Sequence, residues 1–469
     1  MFWADQIAED LKKRKLPLEW VDDMKTPSGK IHIGALRGVI IHDLIFRALV
    51  DIGVKAKYTY VFDDHDPMDA LPLSLSQEKF AKYLGFPLNK IPSPVPGFAS
   101  FAEYYAKDFM EVFNNLGARP EITWASQLYQ NGKMDEVLKE CLDKAEIIRI
   151  IYKKIAGAKR DKNWYPFQVI CEKCGKVGTT RVYDWDGKTV AYTCEPNLVA
   201  WAKGCGYSGR ISPFGGTGKL PWKVEWAAKW KVIGVTVEGA GKDHMSKGGS
   251  HNIASAVCRQ VLDYPVPYAL SYEWFLAHGK KMSTSKGVGV SAQEIAEILP
   301  PEVLRFLMIR TNFRQAIDFD PGGQTIPNLF DEYDRCSNEF YEKRRKSDFG
   351  RIFELSQIDH KKIEKPVKVR FRQVAQWMQM PNIRPKIAKD PLLAKRAKYA
   401  KIWLEKFAPE EEKFTVRQDL PKEVEKLTQK QRQLLIKITE AIDKKWEPEK
   451  FQNEIYQWGK SFGLTSKFI

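Results

Sequence analysis

The stretch Thr26-Pro-Ser-Gly-Lys-Ile-His-Ile-Gly34 constrains this chain more than any other. It follows a short, mostly apolar run from Leu18 to Val21. It leads directly into a helical pattern over 35–50, where Leu36, Val39, Ile40, Leu44, Ile45 and Leu49 recur near the 3.6-residue period. In a strand, a Ser/Gly-rich turn with a His and a helix start, free N–H groups and the positive end of the helix dipole face the space above the turn. That is the geometry of a nucleotide phosphate site. After Gly53, residues 55–62 (KAKYTYVF) alternate as a strand and end in Asp63-Asp64-His65-Asp66. Strand, helix and strand at this spacing predict a βαβ unit and a parallel α/β sheet. Ligands of such sheets bind at the carboxyl ends of the strands, where the turn and the acidic cluster both fall.

At 469 residues the chain is too long for one core. Residues 1–16 read as a short helix, 71–98 as proline-rich loops, and 99–118 and 133–156 as amphipathic helices. The parallel pattern resumes at 231–238 and at about 264–276. Ser291-Ala-Gln-Glu294 reads as a capping box. From 331 onward the pattern is helical, interrupted at Pro366, Pro381, Pro385, Pro409 and Pro421. Residues 331–469 hold 32 Lys and Arg against 22 Asp and Glu, the larger part of a formal net charge of +16. They include the run Lys343-Arg-Arg-Lys346 and Trp377, Trp403, Trp446 and Trp458. Such a balance points to a polyanion, with nucleic acid the first candidate; most of the aromatics read as helical core. No stretch approaches the roughly 18 apolar residues of a membrane span, and 1–15 lack an apolar signal core, so a cytoplasmic protein without a membrane partner is expected.

A second motif, Lys281-Met-Ser-Thr-Ser-Lys-Gly287, follows a predicted strand some 250 residues after the first. Its loop carries two cations, Lys281 and Lys286, and the hydroxyls of Ser283, Thr284 and Ser285. It can close over a triphosphate and neutralise developing charge, and nucleotidyl transfer asks for little else. His32 would donate to the α-phosphate, and Gly34 would let a flat base approach the backbone. Ser28, Gly29, His32, Gly34, Lys281, Ser283, Ser285 and Lys286 are the expected ATP contacts, with His32, Lys281 and Lys286 as catalytic groups.

Four of the seven cysteines cluster between 171 and 205, within a Gly-rich segment at 163–215 that reads as a small insertion. Cys171-Glu-Lys-Cys174-Gly is a zinc knuckle, and Cys205-Gly206 repeats its ending. With Cys194 these would close a tetrahedral, structural Zn²⁺ site. Cys141, Cys258 and Cys336 lie in helical patterns and read as buried small residues.

His32-Ile-Gly-Ala35 and Lys281-Met-Ser-Thr-Ser285 resemble the two signatures of class I aminoacyl-tRNA synthetases. The form Thr-Pro-Ser-Gly-x-x-His-Ile-Gly, together with Phe62-Asp-Asp-His-Asp-Pro-Met68, the run Leu220 to Trp230 and Glu238-Gly-Ala-Gly-Lys-Asp-His244, resembles class I lysyl-tRNA synthetase. Ala35 stands where the broader class usually has His, and Thr284 where it often has Lys; Lys281 and Lys286 would divide the phosphate contacts. The resemblance covers roughly 18–330. It implies a Rossmann-type catalytic domain at 1–70 and 216–290, a connective insertion at 71–215 containing the zinc segment, and a connecting helical segment at 291–330. An all-α anticodon-binding domain would follow at 331–469.

The resemblance further implies that L-lysine attacks the α-phosphate of ATP, with Mg²⁺, and is then passed to the 3′ end of tRNA(Lys) by a monomer. A buried ε-ammonium must be paired, so the pocket needs a carboxylate. Asp63, Asp64, Asp66, Glu238 and Asp243 lie at predicted strand ends, and the family match adds Thr26, Trp222 and His244 as lysine contacts. The insertion would touch the acceptor end of tRNA. Three other readings remain open. A glutamyl-type enzyme would use a cation such as Lys25. A small-molecule nucleotidyltransferase would need neither zinc insertion nor basic helical end. The last is a tRNA-binding paralogue without activation chemistry.

Overall fold

A computed structural model describes residues 1–72, 75–277, 279–281, 291–343, 347–359, 363, 367–381, 383–414 and 418–466. The chain forms two compact units: Met1–Pro321 with Thr325–Pro366, and Gly322–Gln324 with Val367–Ile469.

The first unit begins with helix α1 (Trp3–Lys12) and strand β1 (Glu19–Lys25), followed by the turn and helix α2 (Ile33–Asp51). Strand β2 (Ala56–Phe62), helix α3 (Phe101–Asn115) and strand β3 (Glu121–Trp124) continue the parallel sheet. After helices α4 (Asp135–Asp143) and α5 (Ala145–Ala156) the chain leaves the sheet. It forms a small antiparallel one from β4 (Thr180–Trp185), β5 (Val190–Cys194) and β6 (Ser208–Ile211). It returns through helix α6 (Trp222–Ile233), strand β7 (Val237–Gly241), helix α7 (Ser250–Gln260) and strand β8 (Tyr268–Tyr272).

The main sheet has the order β8-β7-β1-β2-β3, all parallel. Strand order reverses between β1 and β7, and the crevice of such a sheet opens at the carboxyl ends beside that reversal. Helix α2 is apolar on nearly all sides and buried along most of its length, with Leu36, Val39, Ile40, Leu44 and Ile45 fully enclosed. That is why the 26–34 turn is fixed: the helix it opens is part of the core.

Three sequence expectations are corrected. Residues 231–233 do not start a strand; Trp226 and Trp230 carry the helical period of α6 on to Ile233, and Gly234 ends it at φ +90°. The strand begins at Val237. The stretch 264–276 holds two strands, β8 and the short β9 (Phe275–Ala277), the second belonging to another sheet. Pro265 and Pro267 lack the N–H that would extend β8 backwards. The single helix expected at 133–156 is two, α4 and α5, broken at Lys144.

Beyond β9, helices α8 (Ala292–Ile298), α9 (Pro301–Ile309), α10 (Thr325–Lys343) and α11 (Asp348–Ser356) complete the first unit. The expected capping box is present at Ser291 and Glu294. Cys141, Cys258 and Cys336 are buried as expected. The second unit is helical among its described residues, built on α12 (Phe371–Met378), α13 (Pro391–Lys406), α14 (Gln429–Ile442) and α15 (Pro448–Ser461). Trp403 is core there, 5.9 Å from Phe371, and its indole donates to Gly323 O at 3.0 Å. Trp446, Phe451 and Trp458 form a second aromatic cluster. Of the basic run at 343–346, Lys343 ends α10 and residues 344–346 lie outside the described residues. Among the described residues no helix is long and apolar enough to cross a membrane.

Candidate active site

The turn after β1 is organised by its own side chains. Thr26 Oγ1 donates to Asp66 Oδ2 at 2.6 Å, joining the ends of β1 and β2. His32 caps α2: its Nδ1 accepts the Gly34 N–H at 3.1 Å. Because Nδ1 is the acceptor, the neutral ring carries its proton on Nε2. A side chain at Gly34 would set a Cβ 2.8 Å from His32 Nδ1, so glycine there permits the cap. Ser28 N–H closes the turn on Thr26 O at 2.9 Å, and Gly29 has a φ of +156°.

Of the second motif the structure describes only Lys281, and the chain is described again from Ser291. Lys281 pairs through its backbone with Leu276 of β9. At the far end Ser291 bridges His32, and the Ala292 N–H donates to Ile31 O at 3.0 Å. The intervening Ser283, Thr284, Ser285 and Lys286 lie outside the described residues. The stem before the loop is held by Arg37, one turn into α2. This fully buried guanidinium donates to Glu273 O, Trp274 O, Asn312 O and Gln315 O at 2.7–3.2 Å. Sequence reading missed Arg37, since nothing in an Arg on an apolar helix says that it clamps four carbonyls.

Of the acids expected at strand ends, Asp63, Asp64 and Asp66 do follow β2, whereas Glu238 is the second residue of β7, because that strand starts at Val237. Asp63 pairs with Lys229 and Asp66 with Lys219; Lys219 also reaches Glu225 Oε2 at 2.8 Å, and Lys229 reaches it at 3.5 Å. Tyr129 donates to Glu225 Oε1 at 2.7 Å. Burial alone would raise Glu225, but Lys219 and Lys229 pull its carboxyl down to about 2. Burial raises Asp63 to about 6 against the pull of Lys229, so it is ionised at neutral pH. Asp64 accepts the Ser126 N–H at 2.8 Å and its hydroxyl at 2.5 Å. None of Lys219, Glu225, Lys229 and Tyr129 was named from sequence; only the four-residue spacing of Glu225 and Lys229 hinted at a pair.

Glu238 on β7 is different. It is 3% exposed, and its two oxygens accept the indole N–H groups of Trp226 (2.9 Å) and Trp230. No cation pairs with it among the described residues. Its register partner on β1 is Asp22, also buried, which accepts the Thr59 hydroxyl and has its other oxygen unpartnered. Burial, then Asp22, pushes Glu238 well above the carboxylate range despite the two indoles. Trp226 links this acid to the surface. It stacks on Trp222 at 5.8 Å, and the His244 ring lies 5.5 Å from Trp222 and 6.0 Å from Trp226. Trp222 is 43% exposed, so its ring is a surface and not a core residue. Asp243 accepts the Trp274 indole at 3.0 Å, away from Glu238's donors.

In the insertion Cys171, Cys174, Cys194 and Cys205 place their sulfurs within 4.8 Å of one another. The pairs Cys171–Cys205 and Cys174–Cys194 are each 3.7 Å apart. A tetrahedron of thiolates about 2.3 Å from Zn²⁺ has edges of about 3.8 Å, so the four residues fit that ion with no position left open. The Cys205 N–H points to Cys194 Sγ at 3.3 Å, as expected of a thiolate knuckle.

The family model of tRNA synthetases class I (K) matches residues 1–359. The lysine–tRNA ligase 1 of Methanosarcina acetivorans is 37% identical over 460 residues, covering 95% of this chain and 84% of that protein. The lysine–tRNA ligase of Methanosarcina barkeri is 36% identical, covering 95% and 83%. That of Archaeoglobus fulgidus is 33% identical over 481 residues, covering 99% and 92%. The family model and these relatives span most of the chain, and the parallel sheet carries the first signature in the turn after β1; the chain belongs to the class I (K) tRNA synthetases.

Proposed function

We infer that this chain is a lysine–tRNA ligase: it activates L-lysine with ATP to lysyl-adenylate and passes the lysyl group to the 3′ end of tRNA(Lys). The observation that carries lysine over glutamate is Glu238, a buried carboxyl solvated by two indoles and, among the described residues, facing no cation. An ε-ammonium supplies the missing charge, and the stacked rings of Trp222 and Trp226 cover its aliphatic stem, with His244 beside them. Asp63, Asp64 and Asp66 are already engaged by Lys229, Ser126, Lys219 and Thr26, so they shape the pocket floor and Glu238 reads the charge. Thr26 and Asp243 line the mouth.

ATP lies over the turn formed by Ser28, Gly29 and Gly34. The His32 Nε2 proton, fixed by the cap, faces the α-phosphate. Lys281 and Lys286, with Ser283 and Ser285, hold the leaving pyrophosphate; the lysine carboxylate attacks in line, and a terminal ribose hydroxyl then displaces AMP. Mg²⁺ accompanies the nucleotide and offsets phosphate charge. Zn²⁺ in the four-cysteine site holds the insertion folded and takes no part in the chemistry. The second unit, from Val367 onward, binds the anticodon stem and loop, since the first part of the expected 331–469 domain belongs to the first unit, and the protein acts in the cytoplasm as a monomer.

Lysine-dependent ATP–pyrophosphate exchange, with and without tRNA and with glutamate as control, tests this reading. Exchange and tRNA charging with lysine alone are expected. No lysine-dependent exchange in either condition sinks it, and exchange with glutamate selects the glutamyl-type alternative.

A further inference from the structure

Helix α5 ends in a run of charge that the lysine pocket does not use. Around its left-handed cap at Gly157, where φ is +64°, lie Lys153, Lys154, Lys159, Arg160 and Lys162, all exposed. The sole acid between 149 and 163 is Asp161, and Arg181 reaches it at 3.8 Å. Crowded like charges repel, so folding alone gives no reason for the pattern.

The segment is held in shape. Arg149 Nη1 donates to Trp164 O at 2.9 Å and ties the far end of the loop back to the helix. The Arg160 guanidinium lies 5.0 Å from the Tyr152 ring and 5.1 Å from that of Trp164, and the two rings meet edge-on at 5.8 Å. Aromatic faces hold a cation in place without cancelling its charge.

Its position is equally specific. A Cβ at Gly248 would lie 3.0 Å from Ile155 O, so the end of α5 abuts the 246–249 loop, which follows the short helix Lys242–Met245 that carries His244. Lys247 on that loop is exposed as well. The positive surface therefore borders the mouth of the pocket described above.

We propose that this ledge, the end of α5 with the 157–162 loop, binds the phosphodiester backbone of the 3′-terminal strand of tRNA as it enters the crevice. The inference rests on the lysine–tRNA ligase reading and names the surface that delivers the second substrate. Flexible lysines contact phosphates without reading bases, so the ledge fixes the approach and leaves tRNA identity to other contacts.

The test compares two full-length variants of equal charge change: Lys153→Gln/Lys154→Gln/Lys159→Gln on the ledge, and Lys12→Gln/Lys13→Gln/Lys15→Gln at the exposed end of α1. Lysine charging is followed against tRNA concentration at several salt concentrations. In the ledge variant the KM for tRNA rises ~10-fold or more, and the log–log salt slope falls by about 2, since each phosphate contact contributes about 0.7–0.9. The KM values for lysine and ATP, and kcat at saturating tRNA, stay at wild-type values. The α1 variant behaves as wild type, and Lys→Arg at the three ledge positions restores the KM. Equal effects in the two variants, a fall in kcat without a rise in KM, or unchanged charging would each overturn the ledge. Wild-type protein that fails to charge any tRNA with lysine would overturn the ligase reading itself.

Discussion

Two groups of buried acids lie along the same sheet, one just past the end of β2 and one level with the middle of β1, and the protein treats them in opposite ways. At the end of β2, Asp63, Asp66 and Glu225 are met by Lys219 and Lys229, with Thr26 and Tyr129 filling further lone pairs. Two strands away on β7, Glu238 receives two indole N–H groups and, among the described residues, no cation, beside Asp22, one oxygen of which has no partner among them. Charges in a low-dielectric interior persist only when paired, so the first group is complete and the second is waiting. The first ties the returning insertion to the nucleotide turn through Lys219, Asp66 and Thr26; the second offers the place where a substrate's charge is worth most.

The largest effect that would break this contrast lies in the completed group. Lys229→Met leaves Asp63 without its cation and removes one of two from Glu225. Breaking a buried pair from one side costs about 3–5 kcal/mol, so a Tm several degrees lower is expected. An unchanged Tm would show that the network carries no stability. Glu238→Gln should cost less stability: it removes a buried carboxyl that has no cation and keeps one indole acceptor, while its NH2 leaves the other indole N–H unpartnered, so Tm falls less than in Lys229→Met. Lysine loses its charged partner, about 3 kcal/mol, and its KM rises ~100-fold, with the KM for ATP unchanged. A Tm below that of Lys229→Met with lysine KM intact would exchange the roles assigned to the two groups.

The difference also explains what the sequence could tell. The parallel sheet, the turn and α2 were legible because strand–turn–helix is a local pattern, and the apolar period of α2 is long. The capping box at Ser291 was legible for the same reason. The four cysteines were legible as donors, although Cys194 and Cys205 are eleven residues apart; a hairpin between β5 and β6 closes that gap. Which acids are engaged was not legible, because it depends on Lys219 and Lys229, some 150 residues from Asp66 and Asp63. Arg37 and Trp226 were hidden for a related reason: each looks like an ordinary member of its helix until its distant partners are placed. The 231–238 strand was misplaced because apolar residues at the end of α6 run on towards the strand, and only Gly234 marks the boundary.

The smallest test sharpens the contrast by pH. His65 lies within the completed group, 1% exposed, its ring 5.4 Å from that of Tyr129, with neither nitrogen well bonded among the described residues. Burial, then Lys219, holds its imidazole down at about 4, from an ordinary value of 6.5. The native state thus keeps His65 neutral where the unfolded chain protonates it. A group with a depressed folded pKa contributes stability that is full above the unfolded value and is lost as pH falls towards the folded one. Between pH 7 and pH 5 this amounts to about 2 kcal/mol. His65→Phe preserves the ring contact with Tyr129 and removes the titration, so its Tm should fall less than the wild-type Tm over that interval, with the two closest in their pH response above pH 7. Parallel losses in both proteins would mean that His65 is protonated within the fold, and that the cluster's two lysines tolerate a third cation beside them.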